Sequence, residues 1–356
     1  MDPRITEHAH ILVDYSCEVK EGDHVVVTIE DHGTELAREI VRIVALRGGT
    51  TVIVQKSSET ERALLDVIPA SQGLGFPDHY YEMIKTTDVY IGIRSTANTR
   101  VLGNVDPDTF IQYQKMQNPI RQELLKKRWC GTITPTYAFA QEAGMSLEEY
   151  EDFVYGAIIR DWEKEAELMY RIKEIVDRGK EVTISGQDTD LTLSIEGRRA
   201  VAATGKHDMP SGEVYTAPVD DSAEGYISFD VPVMVSGSLI EGVRLTFKEG
   251  EVVESSAEKG ERLLNTLIST DDGSRRLGEL GIGTNRGITT FTNNILLDEK
   301  IGDTIHLALG NAYPDCRGIN MSAIHMDIIK TMRTGQVLID GEILQEDGKW
   351  AWELET

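Results

Sequence analysis

The sequence predicts an α/β N-terminal domain with a parallel sheet, joined to a β-rich α+β C-terminal domain. Three observations carry that expectation. At 356 residues the chain exceeds what one hydrophobic core ordinarily organises, so two domains are the default. The first ~140 residues alternate strand and helix patterns, as a parallel layer requires. From residue 181 short β segments and turns replace that alternation, with a helix or two among them. The boundaries that follow are 1–145 for the first domain, 146–180 for a long linking helix and 181–356 for the second domain.

Each element has its own signal. "HVVVTI" (24–29) reads as a buried strand, "GTELAREIVRIVALRGG" (33–49) as an amphipathic helix ended by glycine, and "TTVIVQ" (50–55) as the next strand, which makes a βαβ unit. "TTDVYIGIRS" (86–95) supplies a further strand, and "RQELLKKRWCGTITPT" (121–136) a helix running into one more. The turn after the first strand, "EDHGTE", has neither GxGxxG nor a phosphate-binding loop, so nothing there points to a nucleotide. His32 in that turn reads as a surface loop histidine.

Residues 146–179 open on a Ser146/Glu149 capping box, and Leu147, Tyr150, Val154, Ile158, Trp162, Met169 and Ile172 recur at helical spacing. Trp162 and Met169 on that stripe read as packing rather than pocket lining. Beyond it "EVTISG", "DLTLSIEG", "AEGYISFDVPVMVSG" and "LIEGVRLTFKEGEVVE" read as strands, with "FKEGEV" a hairpin signal. A helix within 258–273, a glycine-rich stretch and the strand-like "GDTIHLALG" and "SAIHMDII" complete the second domain.

Charge narrows the function classes. With 36 Lys and Arg against 60 Asp and Glu the formal charge is −24, a surface that repels nucleic acid and anionic membrane and favours cations or positively charged ligands. Cys17, Cys130 and Cys316 lie far apart and form no CxxC pair, which argues against a thiolate zinc site or a disulfide framework and fits a reduced, cytoplasmic setting. The opening "MDPRITEHAHILVDYS" lacks a basic and an apolar leader region, and no run approaches the ~18 apolar residues of a membrane helix.

Ligand-type residues concentrate in the second half. In "SAIHMDII" strand alternation sends Ile324, Met326 and Ile328 one way and His325 with Asp327 the other. That pair can chelate a metal, or can be a core histidine held by an aspartate. Glu213 in "MPSGEVYTAP" and Glu279 in "LGELGIGTN" read as acids on glycine-bearing turns. His306 is the one ionisable group among apolar neighbours in "DTIHLALG", and Tyr313 follows seven residues later. Carboxylate and imidazole donors suit Zn²⁺, Co²⁺ or Mn²⁺, and a bridging carboxylate can hold two ions about 3.5–4 Å apart.

Taken in order, "MPSGEVYTAP", "LGELGIGTN", "DEKIGDTIHLALGNAYP" and "NMSAIHMD" resemble the aminopeptidase T and aminopeptidase S family of dinuclear metallopeptidases. The resemblance extends to "GTITPTYAFAQEAGMSLEEYEDF" and the βαβ opening, and so spans most of the chain. It implies that Glu213, Glu279, His306, His325 and Asp327 hold two divalent metal ions and that Tyr313 completes the site. It implies removal of N-terminal residues from peptides with a free N-terminus, by a homodimer whose sites face an internal cavity. Glu279 is expected to bridge the ions or activate the water, and Tyr313 to donate to the tetrahedral intermediate. Sequence order alone does not divide the roles of base and ligand among the carboxylates.

Two departures bear on this. The chain is shorter than the family pattern leads one to expect, notably in its first domain, and the link from Tyr313 to His325 is short. Cys316 in that link, with no adjacent base, reads as incidental. The alternatives are another dinuclear metal hydrolase, an amidase or esterase, and a non-catalytic metal-stabilised peptide-binding protein.

Overall fold

Val25, Val26, Val27 and Ile29 are buried along the strand His24–Ile29, which lies inside a parallel sheet. The order is Thr50–Gln55, His24–Ile29, Val89–Arg94, Arg128–Ile133, then the two-residue strand Asp208–Met209. The helix Thr34–Leu46 buries Leu36, Ala37, Ile40, Ile43 and Val44, one stripe at helical spacing. Gly48 follows its C-cap at φ +82°, a left-handed conformation that glycine adopts without a Cβ clash. This is the α/β layer expected from the sequence.

A computed structural model describes residues 2–68, 75–235 and 238–354. The chain divides into two compact units, Met1–Arg160 with Gly205–Pro210, and Asp161–Thr204 with Ser211–Thr356.

The expected long linking helix over 146–180 is corrected to two helices, Leu147–Ile158 and Trp162–Arg178. The capping box forms as anticipated, with the Ser146 N–H donating to Glu149 at 2.8 Å and the Glu149 N–H to Ser146 at 3.2 Å. Ile159 then leaves the helical region at ψ 82°, and the Asp161 side chain restarts a helix by accepting the Lys164 N–H at 3.3 Å. The apolar stripe runs straight through this break, so periodicity alone does not register it. The first helix belongs to the first unit and the second helix to the second.

The second unit is built on antiparallel sheets. Eight strands run in the order Glu251–Ser256, Arg244–Lys248, Glu224–Ser228, Thr189–Ser194, Glu181–Gly186, Gly335–Ile339, Glu342–Glu346, Lys349–Trp350. Five run in the order His325–Thr331, Thr304–Gly310, Leu277–Gly283, Glu213–Thr216, Val201–Ala203. One apolar core joins them: Val182, Ile184, Leu191 and Leu193 enter from the larger sheet, Leu280, Ile282, Ile305 and Leu307 from the smaller, and Met169 and Ile172 from the helix. The "FKEGEV" hairpin is present, with Lys248 opposite Glu251 and both turn residues at positive φ, Glu249 at 50° and Gly250 at 78°. No helix among the described residues is long and apolar enough to cross a membrane.

Candidate metal centre

The register of the five-stranded sheet assembles the site. Directly opposed residues of antiparallel strands point to the same face. Gly283 opposes Glu213, Gly281 opposes both Tyr215 and His306, Ala308 opposes both Glu279 and Asp327, and Gly310 opposes His325. Glu213, Glu279, His306, His325 and Asp327 therefore share one face. The other face sends Val214, Leu280, Ile282, Leu307, Met326 and Ile328 into the core.

Two glycines of the central strand make the arrangement possible. A Cβ on Gly281 would stand 1.9 Å from His306 Nε2, so only glycine lets the imidazole lie across that strand. At Gly278 the register with the neighbouring strand shifts, a β-bulge. Leu277 consequently enters the core while Glu279, two residues on, faces the ligands. Glu213 and Glu279 are thus not on turns, as their glycine neighbours imply in the sequence. Glu213 opens the strand Glu213–Thr216 and Glu279 lies in the fully buried strand Leu277–Gly283. The glycines serve close approach and a bulge.

The side chains form two overlapping groups. His306 Nε2 lies 3.3 Å from Glu279 Oε1 and 3.5 Å from Glu213 Oε2. His325 Nε2 lies 3.4 Å from Glu279 Oε2 and 3.4 Å from Asp327 Oδ1. Within Glu213/Glu279/His306, and within Glu279/His325/Asp327, the ligand atoms all fall within 4.8 Å of one another, and Glu279 is common to both. Glu213, Glu279 and His306 are buried, whereas His325 keeps 22% of its side chain exposed.

The chemistry of this set fits divalent cations. His325 Nδ1 lies 2.7 Å from the Asn311 carbonyl, which only accepts, so Nδ1 carries the proton and Nε2 presents a lone pair to two carboxylates. A lone pair faces two carboxylates only with a proton or a metal cation between them. His306 Nδ1 is buried with no hydrogen-bond partner among the described residues. Burial pushes both Glu213 and Glu279 above the usual carboxylate range. Burial would lower His306, but Glu279 and Glu213 outweigh it and hold the imidazole up at about 10. Burial likewise opposes, and Asp327 and Glu279 prevail, in raising His325 to about 9. Burial works to raise Asp327 as well, yet His325 and His306 draw it below the usual range. Three crowded carboxylates thus attract positive charge from whatever source offers it, and carboxylate with imidazole is the donor set of Zn²⁺, Co²⁺ and Mn²⁺.

Tyr313 stands at the exposed side. Its ring centroid is 4.9 Å from that of His325 and 5.8 Å from that of Tyr215, and the residue is 42% exposed. The sequence pattern gave no notice of Tyr215 or of Lys300. Lys300 is wholly buried with Nζ 3.4 Å from Glu213 Oε1, and its one signal is a lysine set between acids and an apolar strand in "LLDEKIGDTIHL". Cys316 is buried and burial pushes its thiol up to about 12, which leaves no nucleophile there. His32 is exposed.

A sheet face that gathers three carboxylates, one of them Glu279 common to both groups, and two imidazoles is a candidate site for divalent cations. The profile of the thermophilic metalloprotease (M29) family matches residues 1–350, and the chain belongs to that family of metal-dependent peptide-bond hydrolases. Aminopeptidase PepS of Streptococcus thermophilus is 27% identical over 406 residues, spanning 97% of this chain and 95% of that protein. Wild-type AmpT from Thermus thermophilus superposes with a TM-score of 0.86 at 22% identity, covering 98% of this chain and 99% of that one. A 2,5-dihydroxypyridine dioxygenase from Pseudomonas putida KT2440 shares the fold at a TM-score of 0.64 and 12% identity, over 98% of this chain and 96% of its own. The fold alone therefore does not select the chemistry.

Proposed function

We propose that this chain is an aminopeptidase that removes the N-terminal residue of peptides, using two divalent cations on the buried sheet face. One observation carries the two-ion reading: Glu279 turns Oε1 toward His306 and Oε2 toward His325, as a bridging carboxylate does. Glu213, Glu279 and His306 would hold one ion, and Glu279, His325 and Asp327 the other, with Zn²⁺, Co²⁺ and Mn²⁺ the suited metals. Two such ions supply Lewis-acid polarisation of a peptide carbonyl and acidification of a water.

Glu279 adjoins both clusters with one oxygen directed at each, the place of a bridging ligand, and the proton of the water that attacks the carbonyl carbon passes to the amine nitrogen as the C–N bond breaks. The Tyr313 phenol donates a hydrogen bond to the oxyanion forming on the carbonyl oxygen. Burial, reinforced by the Glu279 and Asp327 charges, holds that phenol above its usual range, so it keeps its proton throughout the neutral region. His325 and Tyr313 form the side open to substrate. The net charge of −24 favours a peptide whose α-amino group is free and protonated. A cytoplasmic homodimer belongs to the same proposal, supported by the family resemblance and by three free cysteines.

Peptides with free and with acetylated N-termini test it. The wild-type protein is expected to cleave only the free-amine set, and Glu279→Gln to lose about 10²–10⁴-fold in kcat. Equal cleavage of blocked peptides would make the enzyme an amidase of another kind. Full turnover with full metal content in Glu279→Gln would remove Glu279 from the centre.

A further inference from the structure

Lys300 is a charged group beside the centre that the chemistry above leaves unused. Its side chain is fully buried, and an ammonium out of water is stable only when paired. Among its partners are Glu213 Oε1, at 3.4 Å from Nζ, and the carboxylate of Glu299. Its backbone is fixed as well: the N–H donates to Leu297 O at 3.1 Å, and the carbonyl accepts the Asn285 N–H at 3.0 Å.

The two glutamates of the centre are consequently treated differently. Glu279 directs both oxygens at imidazoles, one in each cluster. Glu213 directs only Oε2 at His306, at 3.5 Å, while Oε1 is tied to the lysine. Resting on the two-ion reading, we propose that Lys300 is a positioning residue that fixes Glu213 as a one-oxygen ligand for the ion beside His306. The lysine thereby makes the two ion positions chemically unequal. Its positive charge would by itself oppose a neighbouring cation, but Glu299 compensates that charge, so the orienting effect on Glu213 prevails. Groups that orient metal ligands in this way typically change metal affinity by about 10–100-fold when removed.

The test is a Co²⁺ titration of the chelated full-length protein, followed by calorimetry and by the visible absorption of the bound ion. Wild-type protein is expected to take up two ions in two steps. Lys300→Met is expected to weaken one step by about 10–100-fold and leave the other within about twofold. Lys300→Gln, which keeps a donor, recovers part of that loss and guards against a folding defect in the methionine variant. Glu213→Gln is expected to weaken the same step, and adding Lys300→Met to it to cost less than about twofold more, because the two residues act as one unit. Both steps unchanged in folded Lys300→Met, or both weakened alike, would overturn the role of Lys300 while leaving two-ion binding intact. Wild-type protein that takes up fewer than two ions would instead overturn the two-ion reading, and this inference with it.

Discussion

Gly281 shows how closely single residues set this centre. An alanine there would drive its Cβ to within 1.9 Å of His306 Nε2 and force the buried imidazole aside. Gly281→Ala is expected to fold, to weaken one of two Co²⁺-binding steps and to lose on the order of 10²-fold in kcat, since displacing a reacting group by about 1 Å costs that much. A second residue-scale expectation concerns His8. It is buried in the first unit, donates from Nε2 to Thr132 Oγ1 at 2.8 Å because the threonine hydroxyl is itself committed to Met209 O, and has no partner for Nδ1 among the described residues. Burial depresses its pKa from 6.5 to about 3. The unfolded chain therefore binds the proton first, so the stability due to neutral His8 is complete above about pH 6.5 and falls, by up to about 1.4 kcal/mol per pH unit, as the pH drops toward 3. Urea unfolding midpoints between pH 7 and about 4 should show this slope, and His8→Gln should flatten it. His325 and Asp327 were legible as a pair because alternation alone puts them on one side. Glu279 was legible as an acid but not in its orientation, which depends on a bulge at Gly278 that no local pattern encodes.

At the scale of elements, what the sequence disclosed was whatever local chemistry determines. The strands His24–Ile29, Thr50–Gln55 and Glu181–Gly186 coincide with their apolar runs, and the capping box at Ser146 starts the helix it announces. The break at Ile159 escaped because tertiary packing needs the same apolar stripe on both sides of it. The hairpin at 248–251 is a case where the turn chemistry decides: Gly250 sits at φ +78°, and an added Cβ would meet Asp220 O at 2.0 Å. Gly250→Ala is therefore expected to cost more than about 1 kcal/mol, read as a lower denaturant midpoint. The metal-site function should survive at permissive temperature, since the hairpin belongs to the other sheet of that unit.

For the whole molecule, the change from alternating strands and helices to short β segments was enough to separate an α/β layer from antiparallel sheet. The return of residues 205–210 to the first unit was not legible, because a two-residue strand pairs through backbone and leaves no pattern in side chains. The candidate ligands lie between residues 213 and 327, more than a hundred positions apart, yet one sheet brings them to one face. Their convergence around a shared glutamate is the basis of the functional reading, and it is open to one direct measurement. Chelated protein is supplied with Co²⁺, Zn²⁺ or Mn²⁺ while turnover of a free-amine aminoacyl substrate and bound ions per chain are followed together. The account predicts that turnover rises with occupancy and reaches its plateau at two ions per chain. Full turnover at one ion per chain, or two bound ions with no turnover, would contradict it.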